Sequence, residues 1–456
     1  MTRRLACLES ASLGRLLGAA SWALPIAVVV ALSGSCSRVR DRTLSEDGGT
    51  GGVSAPSAGA AGTVDAGAGR LGVADGGTAG VAGRVAAGGA GVAGGTSGGA
   101  GSAGGAGTSG AGTSGAGTSG AGTSGAGTGG SGSLTASFYI GADVTDQQTA
   151  SDAAKTDLFA RMKAHGFNYI RVRTFVDPKA ADGYDKMNGY DDLAHTIIFG
   201  KRIKDAGMGF LLDFHYSDNW ADPGKQCVPV AWQSYTTIAD LATAVHDYTK
   251  DAITQLIAGG ARPDMVQLGN EITPGMLIHR CDSGGQPTGN NPITGSTSSW
   301  SNLGTLLKAG VKGIKDVDTG ILIMLHIDQG DGLAKSQSFI TNARNQGVHF
   351  DVFGESCYTA YQGQPSGWMS TFTQLASMFP TLKLVIAEYG PEQKAANDIL
   401  FGLPNQQGIG TFNWEPTTMG NWNTGHDLFR RSGNTYTEQP DVALYDQMKI
   451  DYASRL

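Results

Sequence analysis

Val266-Gln267-Leu268-Gly269-Asn270-Glu271-Ile272-Thr273 begins as an apolar run and breaks off in an Asn-Glu pair. A buried strand reads this way when its last residues emerge at the mouth of a barrel. Leu384-Val385-Ile386-Ala387-Glu388-Tyr389-Gly390 repeats the pattern, again with one carboxylate near its C-terminal end. A glutamate in such a place caps a helix, pairs with a buried arginine, binds metal or does acid/base chemistry. On two strands of one parallel barrel, Glu271 and Glu388 would face the same pocket, which makes them a candidate catalytic pair.

Working outward, further short apolar runs cover 138–144, 168–176, 209–216, 321–328, 350–358 and 410–415. With the runs at 265–272 and 383–389 they make eight. Amphipathic stretches at 152–164, 190–206, 238–257, 303–316, 334–346 and 369–378 lie between them. Strand and helix alternating in this way over about 320 residues predict a (β/α)₈ TIM barrel, an α/β fold. Gly166 and Gly207 stand where helix C-caps belong, just before strands. Each apolar run ends in polar or aromatic residues. Asp143, Arg171, Arg173, Asp213, His215, Tyr216, Asn270, Glu271, His326, Asp328, Tyr358, Glu388, Trp414 and Glu415 gather at that rim, where active sites of such barrels are built.

The barrel is expected over 137–456, and the residues before it differ in kind. Residues 1–37 pair Arg3 and Arg4 with an uncharged stretch from Leu16, strongly apolar from Leu24 to Leu32. That is a secretory signal, a lipoprotein signal or a membrane anchor. Leu32-Ser33-Gly34-Ser35-Cys36 resembles a bacterial lipobox with its Leu one position early. All three readings place the rest of the chain outside the cytoplasm, touching membrane only through this segment. Residues 38–136 follow; from about Asp47 to Ser133 they are almost wholly Gly, Ala, Ser, Thr and Val, and repeat Ala-Gly-Thr-Ser-Gly from Ala106. Such a composition cannot bury a core and predicts a disordered linker. About 90 residues of Gly-rich coil span roughly 50 Å, so the segment either supplies reach or is a silent insertion.

A net charge of −7 gives no nucleic-acid footprint. Of the five cysteines, Cys7 and Cys36 lie in the leader, and no pair has zinc-finger spacing. Cys227 and Cys281 follow consecutive strands, so an oxidising compartment allows a bridge between them and leaves Cys357 a lone buried thiol.

Several stretches together carry a resemblance. Gly141-Ala142-Asp143-Val144, Ile170-Arg171-Val172-Arg173, the run from Leu212 to Gln226 (LDFHYSDNWADPGKQ), Leu268-Gly269-Asn270-Glu271-Ile272, Ala387-Glu388-Tyr389-Gly390 and Trp414-Glu415-Pro416 resemble glycoside hydrolase family 53. Its members are arabinogalactan endo-β-1,4-galactanases of the retaining (β/α)₈ glycosidases. The resemblance runs from Phe138 to near the C-terminus, and the long run is its most specific part. It implies a polysaccharide substrate, β-1,4-galactan, with no cofactor and no metal, and a monomer is expected. It implies Glu271 as acid/base and Glu388 as nucleophile. Arg171, with Arg173 behind it, would keep Glu388 ionised, and Tyr358 would donate to it. Asn270 would meet the sugar 2-hydroxyl. Asp143, Asp213, His215, Tyr216, Asp218, Trp220, His326, Asp328, Trp414 and Glu415 are expected to touch substrate. Trp232, Trp300 and Trp422 are either further sugar platforms or ordinary packing. Asp177 and Asp222 either accept hydroxyls or cap helices. The chain departs from the family in Gly275-Met276-Leu277-Ile278-His279, where a Trp is usual, and in Cys357 between Ser356 and Tyr358.

Other readings stay open on sequence alone. Glu271 and Glu388 could be buried ions neutralised by the arginines. Two histidines with Asp213 or Asp328 could assemble a zinc site. The barrel could cut another β-linked glycan, bind sugar without turnover, or serve as an envelope adhesin.

Overall fold

The structure, a computed structural model, describes residues 137–417 and 427–456. The expected leader with Cys7 and Cys36, the expected linker, and Trp422 lie outside the described residues.

Eight parallel strands close into a barrel in sequential order. They are β1 (Tyr139–Asp143), β2 (Tyr169–Thr174), β3 (Gly209–Phe214), β4 (Met265–Leu268), β5 (Leu322–Ile327), β6 (Val352–Cys357), β7 (Lys383–Tyr389) and β8 (Gly408–Trp414). Each is followed by a helix: α1 (Asp152–Ala164), α2 (Leu193–Asp205), α3 (Ile238–Ala258), α4 (Trp300–Lys315), α5 (Leu333–Asn345), α6 (Pro365–Met378), α7 (Gln393–Phe401) and α8 (Ala443–Asp451). The TIM barrel expected from the alternating pattern is therefore present. The pattern missed α7 and α8, which are only nine residues each.

Local chemistry explains the boundaries. Ser151, Asp192 and Thr237 cap α1, α2 and α3 by accepting from the backbone N–H of Ala154, His195 and Asp240, each cap worth about 1 kcal/mol. Gly166 and Gly207 end α1 and α2 at φ of 92° and 67°, a backbone state that costs glycine little.

Two apolar layers result. The larger fills the space between strands and helices. The smaller plugs the barrel interior with Tyr169, Leu211, Met265, Met324, Val352, Val385 and Phe412 among others. Two residues further along several of these strands the inward face turns polar, with Arg171, Asp213, Gln267 and His326 all fully buried. The site stands on this polar layer.

The β4–α4 connection holds two small antiparallel pairs, Gly275–Met276 with Gly295–Ser296 and His279–Cys281 with Pro287–Asn290. Cys281 is bonded to Cys227 of the β3–α3 connection, and Cys357 is a buried free thiol. Among the described residues no helix is long and apolar enough to cross a membrane.

Candidate active site

A cavity of about 680 Å³ opens at the C-terminal ends of the strands. Glu271, Glu388, Asn270, Tyr358, Trp220, Trp414, Glu415, Asp328 and Asp222 line it. Of the residues expected to touch substrate, Trp220, Asp328, Trp414 and Glu415 are thus at the wall.

Glu271 is delivered by a backbone break. β4 stops at Leu268, Gly269 takes φ 82° and Glu271 itself φ 44°. A Cβ on Gly269 would stand 2.5 Å from Cγ2 of Ile272, so only glycine fits there. A non-glycine residue at positive φ is held by its surroundings. Here the Gln226 amide donates to the Asn270 carbonyl at 2.9 Å, and Ile272 N–H donates to His326 O at 2.9 Å.

Glu388 is delivered by a register shift. Glu355 pairs with Ile386, but the next residue, Ser356, pairs with Glu388. This bulge in β7 brings Glu388 round to Arg171 and Tyr358, although Val385 and Ala387 belong to the interior plug. Arg171 Nη2 lies 3.0 Å from Glu388 Oε1, and the Tyr358 hydroxyl donates to Oε2 at 3.0 Å.

The two carboxyl groups differ in support. Burial and the charge of Glu388 push Glu271 well above the usual carboxylate range, and its side-chain partner is the Ser356 hydroxyl at 2.6 Å. Glu388 is also raised by burial, but Arg171 pulls it back. A shared proton therefore resides on Glu271.

Below the cavity lies a closed polar network. Arg171 donates to Asp143 Oδ2 (2.9 Å), Asp213 Oδ2 (2.8 Å), Asn270 Oδ1 (2.8 Å) and Gln267 Oε1 (3.2 Å). Gln267 returns a bond to Asp213 Oδ1 at 2.6 Å. Asp143 also accepts from both the amide and the hydroxyl of Thr145. Asp143 and Asp213 are thus spent on Arg171 and do not line the cavity. His215 accepts from Ala221 N–H at Nδ1, with Nε2 3.1 Å from Asp213 Oδ2. His326 links Asn270 Oδ1 (3.1 Å) to Ser356 Oγ (2.9 Å).

Other expected contacts fall elsewhere. Tyr216 turns outward at φ 49°, and its hydroxyl bonds Thr249 of α3 at 2.7 Å, so it packs behind the barrel. Asp218 accepts from the N–H of Asp177 and of Val230 and ties loops together. Arg173 does not reach Glu388. It pairs with Glu415 (3.1 Å) and Asp191 (3.2 Å), and its guanidinium stacks 3.9 Å from the Trp220 ring centre. Trp220 and Trp414 meet edge to face at 5.8 Å, so Arg173 braces the aromatic wall instead. Trp232 packs on Tyr248 and Trp300 on Phe339, away from the cavity. Asp177 accepts from Lys179 N–H, a turn bond, whereas Asp222 is at the wall.

Sequence reasoning missed Gln226, Gln267, Ser356, Tyr361 and Gln362. Gln267 carried a signal, as a polar residue inside an apolar run. Tyr361 lines the cavity while two-thirds exposed, and Gln362 accepts from Tyr358 N–H; nothing in their spacing marked them.

One ligand atom each from Glu271, His326 and Glu388 lie within 4.8 Å of one another. Both His326 nitrogens are already engaged by Asn270 and Ser356, so a metal there would have to break the network. What remains is a pair of carboxyl groups, one protonated and one beside a cation, at the foot of an aromatic cleft.

The sequence profile of glycosyl hydrolase family 53 matches residues 135–400. An arabinogalactan endo-β-1,4-galactanase of Thermothelomyces thermophilus is 31% identical over 315 residues, covering 62% of this chain and 87% of that protein. An endo-β-1,4-galactanase of Bacillus subtilis is 29% identical, covering 62% of this chain and 71% of that protein. Among solved structures, the GH53 catalytic domain of Ignisphaera aggregans superposes with a TM-score of 0.57 at 26% identity. That match covers 69% of this chain and 97% of that one.

Proposed function

The chain belongs to glycosyl hydrolase family 53, and from that premise we propose that it is an endo-β-1,4-galactanase cutting the galactan of type I arabinogalactan with retention. The observation that carries this reading is the approach of Glu271 and Glu388, with carboxylate oxygens within 4.8 Å. Retaining glycosidases need roughly 5–5.5 Å between these groups, whereas inverting ones leave room for a water.

Glu271 protonates the glycosidic oxygen as the bond to the anomeric carbon breaks. Glu388 attacks that carbon from the opposite face, and Arg171 and Tyr358 hold its carboxylate in line. Water then enters, loses its proton to Glu271, and releases the sugar with its original configuration. Asn270 presents its Nδ2 to the 2-hydroxyl, because its Oδ1 is already taken by Arg171, Gln267 and His326. Trp220 and Trp414 offer flat apolar faces to pyranose rings. The enzyme acts outside the cytoplasm as a monomer, with residues 1–37 as export or anchoring segment and 38–136 as tether.

The test is incubation of the full chain with unbranched galactan, followed by sizing of products and assignment of the fresh reducing end. A ladder of β-configured oligosaccharides is expected. Cleavage of mannan or glucan with galactan untouched would overturn the substrate, and α-configured products would overturn the mechanism.

A further inference from the structure

We propose that Ser356 and His326 form a directional hydrogen-bond relay that keeps the Glu271 carboxyl protonated between turnovers, making both of them positioning residues for the acid. The proposal rests on the reading of Glu271 as acid/base and concerns how its proton is kept.

The direction of each bond follows from groups that can only donate. Arg171 Nη2 donates to Asn270 Oδ1 at 2.8 Å, and Asn270 Nδ2 donates to the Ala221 carbonyl at 2.9 Å. These fix the orientation of the Asn270 amide. Its Oδ1 is an acceptor, so His326 Nδ1, 3.1 Å away, carries a hydrogen. His326 is fully buried, and burial with Arg171 nearby drives its pKa well below the ordinary value. The ring is neutral, and Nε2 bears a lone pair. Ser356 Oγ, at 2.9 Å, must donate to it. The serine has one proton, so toward Glu271 Oε1 at 2.6 Å it can only accept. The donor in that contact is Glu271.

If Glu271 ionises, the Ser356 proton swings to the carboxylate and His326 Nε2 faces a lone pair. A proton on His326 would repair this, but burial, Arg171 and His215 oppose it, against the pull of Asp213. Glu388, Asp328 and Asp222 face Glu271 and add to the cost of its charge. In the first chemical step the Glu271 proton passes to the leaving oxygen, and the Ser356 hydroxyl turns to the new carboxylate. In the second step Glu271 takes a proton from water and the hydroxyl turns back. No net proton reaches His326.

The test is the pH profile of kcat/KM on unbranched galactan for the full chain, Ser356→Ala and Ser356→Thr. The alkaline limb reports loss of the Glu271 proton. Ser356→Ala should move it down by about one pH unit, and Ser356→Thr should restore it. A serine that merely donates to an ionised Glu271 predicts the opposite sign, so a limb that stays or moves up overturns the relay. An infrared difference between wild type and Glu271→Gln at pH 6 reads the same proton without relying on activity or on a folded Ser356 variant. A protonated-carboxyl band is expected. Its absence overturns the relay even in an active galactanase, as does a band at the high frequency of a carboxyl O–H with no acceptor. A band at the lower frequency of a carboxyl donating to a hydroxyl upholds the relay whatever polysaccharide is cut.

Discussion

Arg171 Nη2 stands 3.0 Å from Glu388 Oε1, with both side chains buried. The same guanidinium serves Asp143 and Asp213. One cation thus faces several carboxylates; burial, with Asp143 and Asp213 close by, holds Glu388 up at about 7 although Arg171 pulls it down. The attack on carbon needs the ionised form, so the acid limb of the rate profile follows this group. Lysine keeps the charge but loses the planar fork. Arg171→Lys should lower kcat on galactan by about 10²–10³-fold and move the acid limb upward. An unmoved limb in the pH–rate profile would mean that Arg171 does not set the charge state of Glu388.

Glu388→Ala should abolish turnover on galactan, by about 10³-fold or more. It also opens space on the face of the sugar from which the carboxylate attacks. Azide should fill it and yield a glycosyl azide of inverted configuration, identified by NMR of the product. Near-normal turnover of the variant would remove Glu388 from the mechanism.

The barrel was legible because each apolar run has the length and polar ending of a parallel strand, and the two glutamates because a charge at such an ending is rare. The orientation of Glu388 was not. Strict alternation puts it on the face of Leu384 and Ile386, toward the helices, and the bulge opposite Glu355 and Ser356 reverses that. Tyr216 failed for the complementary reason, since one residue at positive φ turned a presumed rim side chain outward. Arg171 and Arg173 look equivalent in sequence. They part because β2 advances about 3.3 Å per residue, which sets Arg173 level with Trp220 and Glu415 and above Glu388.

Glu355 is fully buried, and burial raises it to about 8; Oε2 accepts from Gln329 N–H at 2.9 Å. Its folded-state pKa exceeds the ordinary 4.5. The stability it contributes is therefore complete below about pH 4.5 and is lost as pH rises toward 8. Glu355→Gln cannot ionise and should raise Tm by about 2 °C or more at pH 8, with a smaller gain at pH 5. Equal gains at both pH values in thermal melts would mean that Glu355 is already ionised in the folded state.

Residues up to about 133 should be dispensable for catalysis, because their composition offers nothing to pack. A chain starting at Leu134 should retain full kcat on soluble galactan. Loss of most activity, or precipitation, would make the preceding segment part of the fold.

Glu271 is tested by the leaving group. An acid matters most where the departing oxygen needs a proton, and a sugar hydroxyl does. Glu271→Ala should nearly stop cleavage of galactan. An aryl galactoside chain with an acidic phenol departs without help, so its first step should survive. The glycosyl-enzyme should then accumulate, since no base remains to activate water, and a burst of phenol should precede a slow steady state. Positioned proton transfer contributes roughly 10²–10⁴-fold, and the two substrates should differ by about that factor in the variant. If Glu271 merely held the pocket together, through Ser356 and the strained turn after β4, both substrates would lose equally. Equal losses would make Glu271 structural and turn the search for the acid to Glu415, which also lines the cavity and is raised to about 7 by burial.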